Sequence, residues 1–135
     1  MTERFFDHGD AGAGARAIVP AGATGGDFFV AEGSADTPGR SALHVHAGSD
    51  EFVHVLSGTL EMTVGEETRR VGPGQSVFLP RGVAHRFAAL EPARWLVVGS
   101  GPYQAERARL SAAVAAGAEG EAVYAGIDGV EHLAD

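Results

Sequence analysis

The sequence predicts an all-β domain, built as an antiparallel sandwich or barrel and followed by one short helix. Three observations favour this class. Glycine supplies 20 of the 135 residues, and so many glycines indicate numerous turns between short strands. From residue 27 to residue 98, short runs rich in Val, Phe, Leu and Thr alternate with Gly, Pro, Asp or Ser. Within one run, Leu60, Met62 and Val64 alternate with Glu61 and Thr63, which is the two-residue period of a half-buried strand.

The predicted strands are each four to seven residues long and are bounded by turn residues. In chain order they are Phe28–Glu32, Ala42–His46, Glu51–Ser57, Leu60–Val64, Thr68–Val71, Ser76–Leu79, His85–Ala89 and Arg94–Val98. We expect residues 27–100 to form the barrel core. Residues 1–26 are expected to form a loop-rich arm with one possible strand, because stretches 9–14 and 21–26 are small and turn-prone. A chain of this length is long enough for one core, so all of these parts are assigned to one domain.

Residues 101–135 are predicted to form a helix and a tail that pack on the barrel. The stretch from Tyr103 to Ala116 is rich in alanine and free of glycine and proline, and Gly117 follows it as a helix stop. Leu110 and Val114 would lie on one face of this helix. Either the segment is a lid over the interior or it is an ordinary packed element, and the latter is the more common arrangement.

The composition excludes several kinds of chemistry and of partner. The sequence contains no cysteine, which removes disulfides, thiolate ligands and cysteine nucleophiles, and no lysine, which removes lysine Schiff bases. A net charge of -8 argues against nucleic acid or an anionic membrane as a partner. No apolar stretch reaches the ~20 residues that span a bilayer, and the N-terminal residues lack the pattern of a signal peptide. We therefore expect a cytoplasmic protein.

Three histidines at predicted strand ends indicate a metal site. His44 and His46 are two residues apart, so on a strand both side chains point to the same face. Glu51 follows after a short polar turn and opens the next strand, and a hairpin there would place its carboxylate beside the two imidazoles. Together with His85, these side chains offer three nitrogens and one oxygen, a donor set that suits a divalent first-row metal.

The spacing of these residues closely resembles the two sequence blocks of the cupin superfamily, G-x5-HxH-x3,4-E-x6-G and G-x5-PxG-x2-H-x3-N. The first block here is Gly39, His44-Val45-His46, Glu51 and Gly58, and the second is Gly74, Pro80-Arg81-Gly82 and His85. The resemblance covers about residues 28–98. Two positions depart from the pattern: Gly39 lies four rather than five residues before His44, and Ala89 replaces the final asparagine, which is not a metal ligand in the family.

The resemblance implies a small cupin β-barrel, a double-stranded β-helix or jelly roll, of the single-domain bacterial type that includes quercetinase-like and polyketide-cyclase-like proteins. It implies one divalent transition metal (Fe, Mn, Ni, Cu or Zn) bound by His44, His46, Glu51 and His85. Gly58, Gly74 and Gly82 would permit turns with positive φ, and Pro80 would rigidify the loop that carries His85.

Strand parity predicts which other side chains face the metal. Val53, Val55 and Phe87 share the parity of Glu51 and His85 and are expected to line the substrate pocket, where an apolar lining suits an aromatic or aliphatic molecule. His54 has the opposite parity and should face away. Two loop arginines, Arg40 and Arg81, could bind a substrate carboxylate, although a solvated arginine is the more common case.

Three functions are consistent with this site, and the sequence favours the first slightly over the second and both over the third. The first is oxidation of a small aromatic, polyketide or flavonoid-like molecule by a dioxygenase-type enzyme, with Glu51 as the catalytic base. The second is a non-redox cyclase, isomerase or decarboxylase in which the metal acts as a Lewis acid. The third is a cupin that binds a small ligand without turnover. By resemblance to other cupins, we also expect a homodimer.

Overall fold

Two antiparallel sheets form the body of the protein in the computed structural model, which describes residues 5, 16–36, 38–118, 120–125, 127 and 129–133. Sheet I has the strand order β1-β2-β10-β5-β8: Arg16–Val19, Phe28–Ala35, Ala93–Ser100, Glu51–Ser57 and Ser76–Leu79. Sheet II has the strand order β11-β4-β9-β6-β7: Val130–His132, His44–His46, His85–Ala89, Leu60–Val64 and Glu67–Val71. The two-residue strand β3 (Gly39–Arg40) also belongs to sheet II and pairs with β9. This architecture confirms the predicted all-β antiparallel class with a short C-terminal helix.

Successive strands pass from one sheet to the other along most of the chain. Strand β4 lies in sheet II and β5 in sheet I, so the hairpin that the sequence predicted between His46 and Glu51 does not form. The Glu51 carboxylate therefore reaches the histidines from the opposite sheet. The turn after β5 likewise connects two sheets, and it uses Gly58 at φ 77°, the positive value that the sequence predicted. Gly74 and Gly82 also adopt positive φ.

The hydrophobic core lies between the two sheets. Side chains of sheet I meet side chains of sheet II there, and fully buried members come from both. The core residues are Phe29, Ala31, Val53, Val55, Leu60, Met62, Val71, Leu79, Ala89, Ala93, Val97 and Tyr103. The outward-facing alternate positions of β5, Phe52 and Leu56, remain exposed, as the two-residue period requires.

Strands β2 and β10 continue past a glycine at which the sequence prediction ended them. The prediction ended β2 before Gly33 and β10 before Gly99, because glycine is a common turn residue. In the structure β2 and β10 pair along their whole length. A side chain at Gly33 would collide with the Trp95 indole, and one at Gly99 would collide with the Tyr103 ring. Both glycines therefore allow an aromatic ring to lie directly on the strand.

The C-terminal segment consists of helix α1 (Tyr103–Ala115), a 3-10 turn (Gly120–Val123) and the unpredicted strand β11. The helix ends one residue earlier than expected, and Gly117 at φ 92° follows it. Strand β11 pairs with β4, so the tail lies at the sheet edge that carries His44 and His46. No helix in the described part of the chain combines the length and apolar character needed to cross a membrane.

In the predicted N-terminal arm, the structure shows strand β1 and a 3-10 turn at Ala21–Thr24. The glycine-rich stretch 9–14 lies outside the described residues.

Candidate metal centre

Three buried histidines converge at one end of the barrel. Strand β4 supplies His44 and His46 on the same face, and His85 at the start of β9 pairs directly with His44 across sheet II. One ring nitrogen of each lies within 4.8 Å of the others. All three side chains are almost inaccessible to solvent. The structure thus brings together the three imidazoles that the sequence singled out.

Hydrogen bonds orient two of these rings. His44 Nδ1 lies 2.8 Å from the Ala42 carbonyl oxygen, and His46 Nδ1 lies 3.0 Å from Glu106 Oε1. Carbonyl and carboxylate oxygens accept hydrogen bonds, so each Nδ1 carries the proton and donates it. The lone pair of each Nε2 therefore remains free to bind a metal.

Burial keeps His44 in the neutral form that a metal ligand requires. Desolvation is the largest effect, and together with the nearby charge of His85 it lowers the pKa of His44 from 6.5 to about 4. At neutral pH this imidazole does not need to lose a proton before it coordinates a metal.

Glu51 approaches the three histidines from sheet I. Its Oε2 lies 3.3 Å from His85 Nε2, and its Oε1 accepts a 2.7 Å hydrogen bond from the Tyr103 hydroxyl. Glu51 is not a member of the histidine cluster, whose ring nitrogens lie within 4.8 Å of one another. Burial raises the pKa of Glu51, but hydrogen bonds from His85 and Tyr103 and the charge of His46 outweigh it, and the net pKa is below its usual value. The carboxyl group is therefore ionised at neutral pH.

Tyr103 and Glu106, both from helix α1, complete the surroundings of the site, and neither role was predicted from the sequence. Burial, followed by the charge of Glu51, raises the pKa of Tyr103 well above its usual value, so its hydroxyl stays a proton donor. Glu106 is 5% exposed and also accepts a 2.8 Å hydrogen bond from Ser49 Oγ. The three-residue spacing of Tyr103 and Glu106, which places them on one helix face, was the signal available in the sequence.

The tail beyond α1 also reaches the site. The Tyr124 ring stacks on the rings of both His44 and His132, with 5.3 Å between ring centres in each case. Ala47 donates a backbone hydrogen bond to Gly129 beside the end of β4. Nothing in the sequence pattern of residues 119–135 predicted these contacts.

A cavity of about 790 Å³ opens beside the histidines. Val53 and Phe87 line it, as parity predicts, whereas Val55 does not. Val55 lies four residues beyond Glu51 on β5 and is completely buried in the core, so the expectation that it lines the pocket is corrected. His54 faces away from the site and its Nδ1 lies 2.6 Å from Ser76 Oγ.

The two loop arginines proposed as carboxylate anchors differ in the structure. Arg40 lines the cavity. Arg81 instead forms an ion pair with Asp50, with its backbone nitrogen, Nε and Nη2 all directed at that carboxylate. Its guanidinium is committed to joining the β4–β5 turn to the loop before β9, and it is not a cavity residue.

The donor set fits a divalent transition metal. The Nδ1 atoms of His44 and His46 are hydrogen-bonded outside the cluster, whereas His85 Nδ1 is buried without a hydrogen-bond partner among the described residues. The Nε2 lone pairs of His44 and His46 are left for a cation, since a buried acceptor without a partner is costly. A divalent metal bound by the three imidazoles would accept them, with Glu51 adjacent to offset part of its charge.

Comparison with known proteins identifies relatives of this arrangement. Residues 28–99 match the family model Cupin_2, described as the cupin domain. SchB of Streptomyces halstedii is 38% identical over 68 residues, which cover 50% of this chain and 47% of SchB. The chain spans about half the length of the curated Streptomyces proteins that it matches.

Two solved structures show a similar fold with moderate sequence identity. The polyketide cyclase RemF from Streptomyces resistomycificus has a TM-score of 0.56 and 27% identity, covering 64% of this chain and 63% of RemF. A sugar phosphate isomerase of the cupin superfamily from Silicibacter pomeroyi has a TM-score of 0.54 and 29% identity, covering 64% of this chain and 59% of that protein. Helix α1 and the tail lie beyond the family match.

Proposed function

Because this chain belongs to the cupin family, we propose that it is a metal-dependent enzyme that acts on a small molecule in the cavity beside its three histidines. One observation carries the proposal: His44, His46 and His85 are buried with a nitrogen of each within 4.8 Å of the others, at the wall of that cavity. A closed cluster of three buried imidazoles has little structural advantage over apolar residues of the same size unless it binds a cation.

The histidines, with Glu51 as a fourth ligand or an adjacent base, would hold one divalent transition metal. When bound, such a metal supplies a positive charge that acidifies a proton next to a substrate carbonyl or hydroxyl group. A side chain of the protein would then accept that proton. Glu51 is ionised, faces the cavity, and is held in place by the Tyr103 hydroxyl, so its carboxylate is positioned as a general base.

A non-redox reaction, such as cyclisation or isomerisation, is the leading proposal for the chemistry. The solved relatives include a polyketide cyclase and a sugar phosphate isomerase. The cavity wall includes Trp95, Phe87 and Met62, and this apolar lining favours an aromatic or polyketide-like substrate over a sugar phosphate. Dioxygenase chemistry would use the same metal and the same base, and it is the second candidate.

Replacement of the base tests the proposed role of Glu51. We expect Glu51→Gln to abolish turnover of a polyketide-type 1,3-diketone while metal content falls only modestly, because the amide cannot accept the proton. Glu66→Gln, at an exposed turn, is the matched control and should retain activity. Full activity in Glu51→Gln would show that the base assignment is wrong.

Exclusion of oxygen separates the two reaction types. Turnover of 1,3-diketones under strict anaerobiosis would support the non-redox reaction. Oxygen uptake with a flavonol, and no anaerobic turnover of either compound, would establish the dioxygenase instead. A ligand-induced thermal shift without turnover in either atmosphere would support a cupin that only binds its ligand.

We further propose a homodimer, formed through the outer face of sheet I. Phe28, Phe52, Leu56 and Phe78 are 37–57% exposed on that sheet, and Phe52 pairs with Phe78 across β5 and β8. Large apolar side chains that adjoin one another on the surface are typical of interfaces.

A further inference from the structure

One face of helix α1 forms part of the cavity wall. Tyr103, Arg107, Leu110 and Val114 all line the cavity, and their spacing of four, three and four residues places them on a single face. Arg107 therefore lies about one helical turn beyond Tyr103, a rise of about 6 Å along the axis. Since the Tyr103 hydroxyl binds Glu51, Arg107 is the next charged group along this wall from the proposed base.

The guanidinium of Arg107 is not committed to another part of the protein. It is partly buried, and it forms no ion pair or side-chain hydrogen bond with another residue in the described ranges. Arg40, the other arginine of the cavity wall, is exposed and likewise forms no ion pair or side-chain hydrogen bond within the described ranges. Glu51, in contrast, is already bonded to Tyr103 and His85. The charge available to a ligand in this cavity is thus positive, although the whole chain carries a net charge of -8.

We propose that Arg107 binds the carboxylate of an apolar small molecule whose body packs against Trp95, Phe87 and Leu110. A guanidinium presents two parallel donors that match a carboxylate, and a partly buried position strengthens the interaction relative to water. The apolar wall accounts for the rest of the ligand. This inference rests on the proposed function and names the substrate class for that same cavity.

The assignment distinguishes Arg107 from the other arginines nearby. Arg109, two residues further along α1, is exposed and does not line the cavity. Arg81 is bound to Asp50. The family match ends at residue 99, so Arg107 belongs to a part of the chain that the shared barrel does not include. An anion preference set by α1 would therefore arise outside the segment that matches the family.

Calorimetric titration with 2-naphthoate and its neutral analogue 2-naphthamide tests the proposal. The wild-type protein should bind the carboxylate roughly ten-fold or more tightly than the amide, the range expected of a charge-assisted hydrogen bond. Arg107→Gln should lose that preference while its affinity for the amide stays within about two-fold. Arg109→Gln is the matched control and should behave as wild type, and Arg107→Lys should retain part of the preference because it keeps the charge.

Three results would overturn the proposal. The first is an unchanged carboxylate preference in Arg107→Gln. The second is the absence of 2-naphthoate binding to any form of the protein. The third is tight binding of fructose 6-phosphate in place of the naphthalene compounds, which would show that the ligand is not apolar. Binding of the neutral amide by Arg107→Gln shows that the variant is folded.

Titration of both metal-free and Zn²⁺-loaded protein separates this inference from the proposed enzyme. A carboxylate preference that appears only with Zn²⁺ and survives in Arg107→Gln would place the carboxylate on the metal and contradict the role of Arg107. A preference that depends on Arg107 in metal-free protein would support it even if no metal ever bound and the proposed enzyme failed.

Discussion

Glu106 connects helix α1 to the candidate metal centre through a single side chain. Its Oε1 accepts hydrogen bonds from His46 Nδ1 and Ser49 Oγ, and it is buried from solvent. Its other oxygen lies against the tail, since a side chain at Gly129 would approach Oε2 to 3.0 Å. A carboxylate in this position fixes the tautomer of the histidine and increases the basicity of the nitrogen that faces the metal. Glu106 is therefore a positioning residue for His46.

We expect Glu106→Gln to weaken metal binding by about ten- to a hundred-fold, because the amide keeps the volume and an acceptor oxygen but removes the charge. Competition with a chromogenic chelator measures this affinity, and thermal unfolding of the metal-free protein reports stability separately. Glu91→Gln, at an exposed site, is the control. Equal metal affinity in Glu106→Gln and wild type would show that the carboxylate has no such role.

The sequence revealed the histidines but not the residues that orient them. The motif spacing predicts that His44, His46 and His85 form one cluster, because strand parity and turn glycines constrain where their side chains can lie. Glu106 lies 60 residues after His46, and no local pattern links the two. The pairing of Arg81 with Asp50 was equally hidden, since both residues lie in loops whose mutual approach depends on the completed barrel. The role of Glu51 as ligand or base stays a prediction.

At the scale of elements, the close approach of strand β10 to helix α1 controls the position of Tyr103. The chain turns at Gly101 (φ 51°) and the Tyr103 ring then lies on Gly99 with no room for a side chain. The Tyr103 ring also stacks on Phe29 at 5.4 Å. The prediction of the helix from alanine content was confirmed, but its docking on a strand glycine could not be read from local propensity.

Replacement of this glycine tests the docking. We expect Gly99→Ala to lower the free energy of unfolding by about 1–3 kcal/mol, because the new methyl group forces Tyr103 and the start of α1 to shift. The displaced hydroxyl should also weaken its contact with Glu51 and reduce turnover. Urea unfolding and steady-state kinetics measure the two effects. Gly22→Ala has open space around the new Cβ and should change neither; normal stability in Gly99→Ala would contradict the account.

At the scale of the whole molecule, the proposed homodimer depends on the apolar outer face of sheet I. We expect Phe78→Asp to convert a wild-type homodimer into a 13.9 kDa monomer, because the charge would be buried without a partner in the interface. Sedimentation equilibrium gives the mass directly. Glu67→Gln, on the exposed strand β7 of sheet II, should leave the dimer intact. A monomeric wild-type protein would contradict the proposed interface.

The overall architecture was more predictable than the path of the chain through it. Alternating residues and turn glycines fix most strands and their buried faces, since each depends only on near neighbours. The assignment of successive strands to opposite sheets, and the return of β11 to the edge beside β4, depend on contacts distant in sequence. The cytoplasmic location and the identity of the metal likewise remain predictions.

Metal content tests the central claim most directly. Purified protein, reconstituted with divalent transition metals and dialysed, should contain one metal ion per chain by elemental analysis. His46→Ala should lose it, whereas His54→Ala, which removes an outward-facing histidine, should retain it. A wild-type protein that binds no metal after reconstitution, or a His46→Ala variant that keeps a full equivalent, would contradict the account.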